Sequence, residues 1–186
     1  MPGWEGTPAA TREDYLPSAL ARRIETIAGE EQFFVVGFSW GGTIGLRIEP
    51  HRLLGLVLVD VGYQSYPDEP KSYEELLLEY AGADFAPPEA VAAGMWGVGA
   101  EPAADALRSV RDVPVLLLAA TEPFVERRAD DIDQFRAALP NAEVHLIEGA
   151  EHNVLETAPA AAVPLIGAWL RRAGRYRGSG YRTMPA

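Results

Sequence analysis

The chain has 186 residues, enough for one domain with a sizeable core, and 48% of them are hydrophobic, as in globular proteins. Its net charge of −11 argues against a nucleic-acid or anionic-membrane partner, because neutralising phosphates requires an excess of lysine and arginine. The chain contains no cysteine, which excludes disulfides, thiolate metal sites and a cysteine nucleophile.

Neither a membrane span nor a signal peptide is indicated. No stretch approaches the roughly 18 apolar residues that a membrane-spanning helix needs. Residues 1–8 lack the charged start and apolar centre of a secretory signal. We therefore expect a soluble, cytoplasmic protein.

Hydrophobic spacing predicts strands that alternate with helices along most of the chain. Apolar residues at helical spacing predict helices over residues 12–28, 43–48, 129–139 and 157–172. Short apolar runs predict strands over residues 33–37, 53–60, 114–119 and 143–147. This alternation predicts a mostly parallel sheet between two layers of helices, a three-layer α/β/α domain.

The segment between the second and third predicted strands differs from the rest. Residues 62–112 predict two helices, over residues 73–80 and 88–111, joined by Gly- and Pro-rich loops, with no strand. We expect one domain over residues 1–172 that carries residues 62–112 as a helical insertion. Residues 173–186, with several arginines among Gly and Ser, are expected to form a flexible tail.

Residues 37–41 read Gly-Phe-Ser-Trp-Gly and match the G-x-S-x-G pattern of a nucleophile elbow. A predicted strand leads into the pattern and a predicted helix leaves it, as the elbow requires. Small residues at Gly37 and Gly41 permit the tight turn that lifts the hydroxyl of Ser39 off the sheet. The helix that follows offers backbone N–H groups and the positive end of its dipole to an oxyanion. The alternative is an incidental serine in a Gly-rich turn.

Together with its context, this pattern resembles the α/β-hydrolase superfamily. The resemblance runs in family order: residues 2–8 are similar to the loop after the family's fourth strand, 56–60 to its sixth strand, 113–118 to its seventh, and 147–153 to its histidine loop. The family's first four strands, with their oxyanion loop, have no counterpart here. The resemblance therefore implies a truncated α/β-hydrolase fold with a small helical cap at residues 62–112.

The resemblance also implies roles for individual residues. Ser39 is the nucleophile, His152 the general base and Glu122 the acid that orients His152, with Asp60 as the alternative acid. The backbone N–H of Trp40 is the remaining oxyanion donor. No metal or organic cofactor is implied. The alternatives are a surface histidine at position 152 and a solvated Glu122.

We therefore expect a serine hydrolase that cleaves an ester or thioester of a small or medium acyl substrate through a Ser-His-Glu triad. Amide and C–C bond cleavage remain open. The other hypothesis is a catalytically silent or accessory module, or a fragment, that pairs with a partner through an exposed sheet edge.

The strand before the elbow indicates where such a partner would bind. Residues 33–36 read Phe-Phe-Val-Val and contain neither a charge nor a proline, the features that protect an exposed edge strand. In the family this strand pairs with the third strand, which has no counterpart here. We expect a homodimer or another strand-edge partner, or a cover formed by residues 1–20.

Overall fold

A computed structural model of the chain describes residues 11–63, 71–82, 87–122 and 131–178, with side chains as far as residue 174. Within these residues four parallel strands form one sheet in the order β1-β2-β3-β4. The strands are β1 (Phe33–Phe38), β2 (Leu53–Val59), β3 (Val115–Glu122) and β4 (Glu143–Glu151). The predicted parallel sheet is therefore confirmed.

Helices lie before, between and after the strands. They are α1 (Pro17–Ala28), α2 (Trp40–Gly45), α3 (Tyr73–Glu79), α4 (Pro88–Ala100), α5 (Ala103–Ala106), α6 (Asp131–Ala138), α7 (Val154–Thr157) and α8 (Pro159–Gly178). Short 3₁₀ turns precede α1 at Arg12–Tyr15 and precede β2 at Pro50–Arg52. The segment predicted as one helix over residues 12–28 thus forms a 3₁₀ turn followed by α1, which begins at Pro17. Proline lacks an N–H and is therefore suited to the first position of a helix.

The core lies on both faces of the sheet. On one face, residues of α1, α2 and α6 pack against β2 and β3, and Phe135 of α6 is 1% exposed. On the other face α8 covers the same strands through Ala162 and Trp169. Burial on both faces explains why β2 and β3 are nearly continuous runs of Leu and Val. The three-layer α/β/α architecture is thus confirmed.

Three further helical regions differ from the sequence prediction. Helix α2 covers Trp40–Gly45 instead of residues 43–48. The segment predicted as one long helix over residues 88–111 forms α4 and α5, with Glu101 and Pro102 between them. At the carboxyl end, α8 contains Pro164 and continues to Gly178, past the predicted domain boundary at residue 172. Residues 179–186 lie outside the described part of the chain.

Strand β1 lies at the edge of the sheet. Among the described residues it pairs with β2 alone, and Val36 in its middle is 47% exposed. The position of β1 leaves one side of an apolar strand without a paired neighbour in the described sheet.

No helix in the described ranges is long and apolar enough to span a membrane.

Candidate active site

Ser39 lies at the sharp turn between β1 and α2. Its backbone has φ 49° and ψ −118°, a conformation that side-chain-bearing residues rarely adopt. Its N–H donates to the carbonyl of Val59, 2.8 Å away, which fixes the turn to the end of β2. In the described residues, the only other non-glycine residue with a positive φ is Asp60. Backbone strain of this kind concentrates at functional sites.

Two glycines allow the elbow to close. A Cβ built on Gly37 would lie 2.5 Å from the carbonyl oxygen of Gly41, and one built on Gly42 would lie 2.2 Å from Cγ2 of Val61. The prediction named Gly37 and Gly41, but a Cβ on Gly41 would meet no atom within 4 Å. The close approach of helix to strand therefore depends on Gly37 and Gly42.

Asp60 follows β2 and is almost fully buried, with 3% of its surface exposed. Its Oδ1 accepts a hydrogen bond from the N–H of Ala120 at 2.9 Å, and its own N–H donates to the carbonyl of Leu118 at 2.7 Å. Its Oδ2 lies 2.7 Å from Nδ1 of His152. Both carboxylate oxygens thus have partners, and β3 holds the carboxylate in one orientation.

His152 joins Asp60 to Ser39. Its Nε2 lies 3.0 Å from the hydroxyl oxygen of Ser39 while Nδ1 faces Asp60. Because an ionised carboxylate only accepts hydrogen bonds, the proton of the neutral ring belongs on Nδ1, and Nε2 is left to accept from Ser39. The ring packs against Phe38, with centroids 4.8 Å apart. Its side chain is 37% exposed, so part of the ring can be reached from solvent.

Hydrogen bonds to two threonine hydroxyls hold the loop that carries His152. The hydroxyl of Thr121 accepts from the N–H of Gly149 at 2.8 Å, which ties the end of β3 to this loop. The hydroxyl of Thr157 accepts from the N–H of Glu151 at 3.1 Å and donates to the carbonyl of Asn153 at 3.0 Å. These contacts place the ring over the ends of β1 and β2.

The predicted contact between Glu122 and His152 is wrong. Glu122 is exposed at the end of β3 and lies in register with Glu151, and both ring nitrogens of His152 face other residues. The register of β3 and β4 shifts after Ala120, which carries Glu122 along β4 instead of under the imidazole ring. Asp60, the alternative acid, makes the contact, because β2 lies directly beside the strand that leads to Ser39.

Trp40 is the first residue of α2, and the first N–H groups of a helix have no acceptor within the helix. Its backbone N–H can therefore donate to an oxyanion beside Ser39. Its indole ring stacks on Tyr15 at a centroid distance of 6.4 Å and packs against Gly94 of α4. The indole Nε1 is buried and has no hydrogen-bond partner in the described structure. The residue after Ser39 thus contacts the helical insertion directly.

Sequence reasoning missed two contributors to this arrangement. The N–H of Ala120 orients Asp60, and Phe38 supports the imidazole ring. Phe38 occupies a variable position of the elbow pattern, so only its aromatic character hinted at a role. Backbone groups such as that of Ala120 leave no signal in a sequence.

Within the described ranges, no group of three or more His, Asp or Glu side chains could hold a metal ion.

Comparison with known proteins gives likenesses in structure alone. No family model and no curated protein sequence matches the chain. A thermophilic esterase from Thermogutta terrifontis is 19% identical, with a TM-score of 0.74 over 93% of this chain and 78% of that one. A bromoperoxidase from Bacillus anthracis is 14% identical, with a TM-score of 0.73 over 91% and 79%.

A carboxylesterase structure from Nitrososphaera gargenis is also similar, with 14% identity and a TM-score of 0.70 over 92% of this chain and 76% of that one. An α/β-hydrolase from a deep-sea metagenome library is 15% identical, with a TM-score of 0.69. At such identities the likeness concerns the fold. The predicted α/β-hydrolase fold is confirmed, and this chain spans 78% of the length of the Thermogutta terrifontis esterase and of the metagenomic α/β-hydrolase.

Proposed function

From the α/β-hydrolase fold of this chain, we propose that the protein is a serine hydrolase whose triad is Ser39, His152 and Asp60. One observation carries the proposal. The imidazole of His152 lies between a serine hydroxyl at 3.0 Å and a buried carboxylate at 2.7 Å. This nucleophile–base–acid arrangement is the one that activates a serine, and its chain order can differ between folds.

The proposed reaction begins when Oγ of Ser39 attacks the carbonyl carbon of the substrate. Nε2 of His152 takes the hydroxyl proton, and the carboxylate of Asp60 stabilises the imidazolium that forms. The N–H of Trp40 donates to the oxyanion, and a single such donor is worth roughly 10²–10³ in rate. His152 then protonates the leaving group, and water cleaves the acyl-enzyme by the same steps in reverse.

Esters and thioesters of small or medium acyl groups are the proposed substrates. Their carbonyls are more reactive than those of amides and require less stabilisation of the oxyanion. In the described part of the chain, Trp40 is the oxyanion donor that the elbow provides, which favours the more reactive acyl class. The Thermogutta terrifontis and Nitrososphaera gargenis proteins are an esterase and a carboxylesterase, which agrees with this choice.

A fluorophosphonate probe tests the proposal, because it phosphonylates only activated serines. We expect labelling of Ser39, located by peptide mass spectrometry, and hydrolysis of p-nitrophenyl acetate or butyrate. Ser39→Ala should abolish labelling, whereas Ser109→Ala, at an exposed serine outside the triad, should leave it intact. Equal labelling of the wild type and Ser39→Ala would refute the assignment.

The second candidate function is a silent or accessory module that binds a partner through β1. The observation that favours it is the apolar strand at the edge of the described sheet, with Val36 47% exposed. Failure of the probe to label the folded wild type, together with no ester hydrolysis, would support this function over the hydrolase.

A further inference from the structure

Arg47 lies two residues beyond α2 and is largely buried, with 10% of its side chain exposed. Its Nη1 donates to the carbonyl of Thr43 at 3.1 Å, and its Nη2 donates to the carbonyl of Pro102 at 2.9 Å. Its Nε forms an ion pair with Glu101 at 3.0 Å. One guanidinium therefore joins the helix of the nucleophile to the segment between α4 and α5.

Glu101, which ends α4, extends these contacts to α1. Its carboxylate accepts from the N–H of Ser18 at 2.8 Å and from the hydroxyl of Ser18 at 2.7 Å. The residue at the N-cap of α1 is Leu16, which has no side-chain acceptor for the first N–H groups of the helix. Glu101 supplies that acceptor from 83 positions away. We call Arg47, Glu101, Ser18 and the two carbonyls the Arg47 network.

Helix α2 needs such support because its own sequence is a poor helix former. It has six residues, Trp-Gly-Gly-Thr-Ile-Gly, and three of them are glycine, which costs about 1 kcal/mol each relative to alanine. The carbonyl of Thr43 lies in its last turn, where carbonyls lack helical partners, and Arg47 provides the donor. Burial lowers the pKa of Arg47, and the nearby Glu101 and Asp105 oppose that effect.

Helix α4 also contacts the other end of α2. A Cβ built on Gly94 would lie 2.9 Å from Cη2 of Trp40, so the indole ring rests directly on the α4 backbone. Helix α4 thus meets α2 at Trp40, next to the nucleophile, and through Glu101 at Arg47. These two contacts enclose the six-residue helix that follows Ser39.

We propose that Arg47 and Glu101 are positioning residues that hold α2 so that Ser39 and the N–H of Trp40 keep their catalytic geometry. This inference rests on the proposed hydrolase function. Neither side chain touches the triad, and their effect is transmitted by α2, the helix that follows Ser39. Catalytic geometry is sensitive to such support, since a displacement of about 1 Å can cost about 10²-fold in rate.

The surroundings of Arg47 allow a test by chemical rescue. An open cleft of about 470 Å³ adjoins the network, and its lining includes Ser18, Arg22, Glu25, Arg47 and Glu101. Arg47→Ala should leave a space beside Glu101 that a guanidinium ion from solution can fill. Arg22→Ala is the matched control, because it removes an arginine from the same cleft outside the Arg47 network.

The readouts are the inactivation rate constant and the apparent KI of the fluorophosphonate probe. We expect Arg47→Ala to lower the rate constant between about 10- and 100-fold and to leave KI within about twofold. Millimolar ethylguanidinium should restore much of the rate to Arg47→Ala and change neither the wild type nor Arg22→Ala. Arg47→Lys should retain more of the rate than Arg47→Ala, because lysine keeps the positive charge. It should retain less than the wild type, because lysine lacks the forked donors of arginine.

Hydrogen–deuterium exchange gives a second readout that does not depend on activity. Amides of residues 42–48 should exchange faster in Arg47→Ala and slow again when ethylguanidinium is added. Glu101→Gln, which nearly preserves volume, should show the same changes to a smaller extent. It takes the place of Arg47→Ala if that variant does not fold.

Two results would overturn the inference. One is an Arg47→Ala or Glu101→Gln variant that reacts at the wild-type rate with unchanged exchange at residues 42–48. The other is a variant in which only the KI of the probe changes, the inactivation rate constant stays at the wild-type value, and ethylguanidinium has no effect. If the wild type does not react with the probe, the proposed function fails, and exchange with and without ethylguanidinium still decides whether the network holds α2.

Discussion

The carboxylate of Asp60 lies 2.7 Å from the imidazole of His152, although 92 positions separate the two residues in the chain. The N–H of Ala120, on a third strand, holds the other oxygen of the same carboxylate at 2.9 Å. Three strand ends thus contribute to one hydrogen-bonded unit with Ser39. The arrangement makes Asp60 the residue through which β2 and β3 set the orientation of the ring.

Asp60→Asn should lower hydrolysis and probe labelling by about 10²–10⁴-fold, because an amide can present its NH₂ group to Nδ1 and favour the wrong tautomer of His152. Glu122→Gln should stay within about twofold of the wild type, since Glu122 is exposed and away from the ring. Initial rates on p-nitrophenyl butyrate, with circular dichroism to confirm folding, compare the two. The reverse ranking would return the acid role to Glu122.

Gly42→Ala should destabilise the protein by about 1–3 kcal/mol, the usual cost of overpacking. The new methyl group would lie 2.2 Å from Cγ2 of Val61, a buried and β-branched side chain that cannot rotate away easily. Gly41→Ala, one residue earlier, has open space and should be neutral or stabilising by up to about 1 kcal/mol. Urea unfolding at pH 7 measures both, and equal free energies of unfolding for the two variants would contradict the packing argument.

Glu143 should contribute stability that depends on pH. Its hydrogen bond with His145 at 2.8 Å holds the pKa of its carboxyl group below the ordinary value, and its contact with Arg172 at 2.6 Å lowers that pKa further. Because the folded-state pKa is lowered, the contribution is complete above the ordinary carboxyl pKa and disappears as the pH falls through the lowered value.

The measurement is the free energy of unfolding of Glu143→Gln against wild type over a pH series. With 40% of the Glu143 side chain exposed, solvent screening limits the loss at pH 7 to less than about 1 kcal/mol. The difference should shrink toward zero at acidic pH. Glu30→Gln, at an exposed carboxylate ahead of β1, is the control. A difference that grows on acidification would show that the sign is wrong.

We also propose that the protein associates as a homodimer through β1. An unprotected apolar edge strand recruits other strands, and Val36 on β1 is 47% exposed. Sedimentation velocity at micromolar concentration should detect a dimer. Val36→Lys should weaken it by roughly tenfold or more, because a charge at the edge opposes pairing.

Leu78→Lys is the control for that experiment, since Leu78 is 79% exposed on α3. It should leave the dimer intact. A monomer at all concentrations, with rapid deuterium exchange at residues 33–36, would contradict association through this edge.

Patterns within single segments were sufficient to predict much of the fold. The continuous apolar run of β2 predicted a strand buried on both faces, and the structure buries nearly every residue of it. The elbow pattern predicted a strand-to-helix turn at Ser39, where φ is 49°. Such features depend on the periodicity and size of neighbouring side chains, which the sequence states directly.

The tertiary structure decided which distant groups meet. Glu122 and Asp60 both end a strand, and only the pairing register brings Asp60, rather than Glu122, to His152. The contact of Arg47 with Glu101 likewise depends on where α4 ends against α2. The sequence alone determined the elements and the position of the elbow serine, because those are local. The carboxylate that contacts His152 and the buried ion pair follow from strand register and helix packing, which no local pattern encodes.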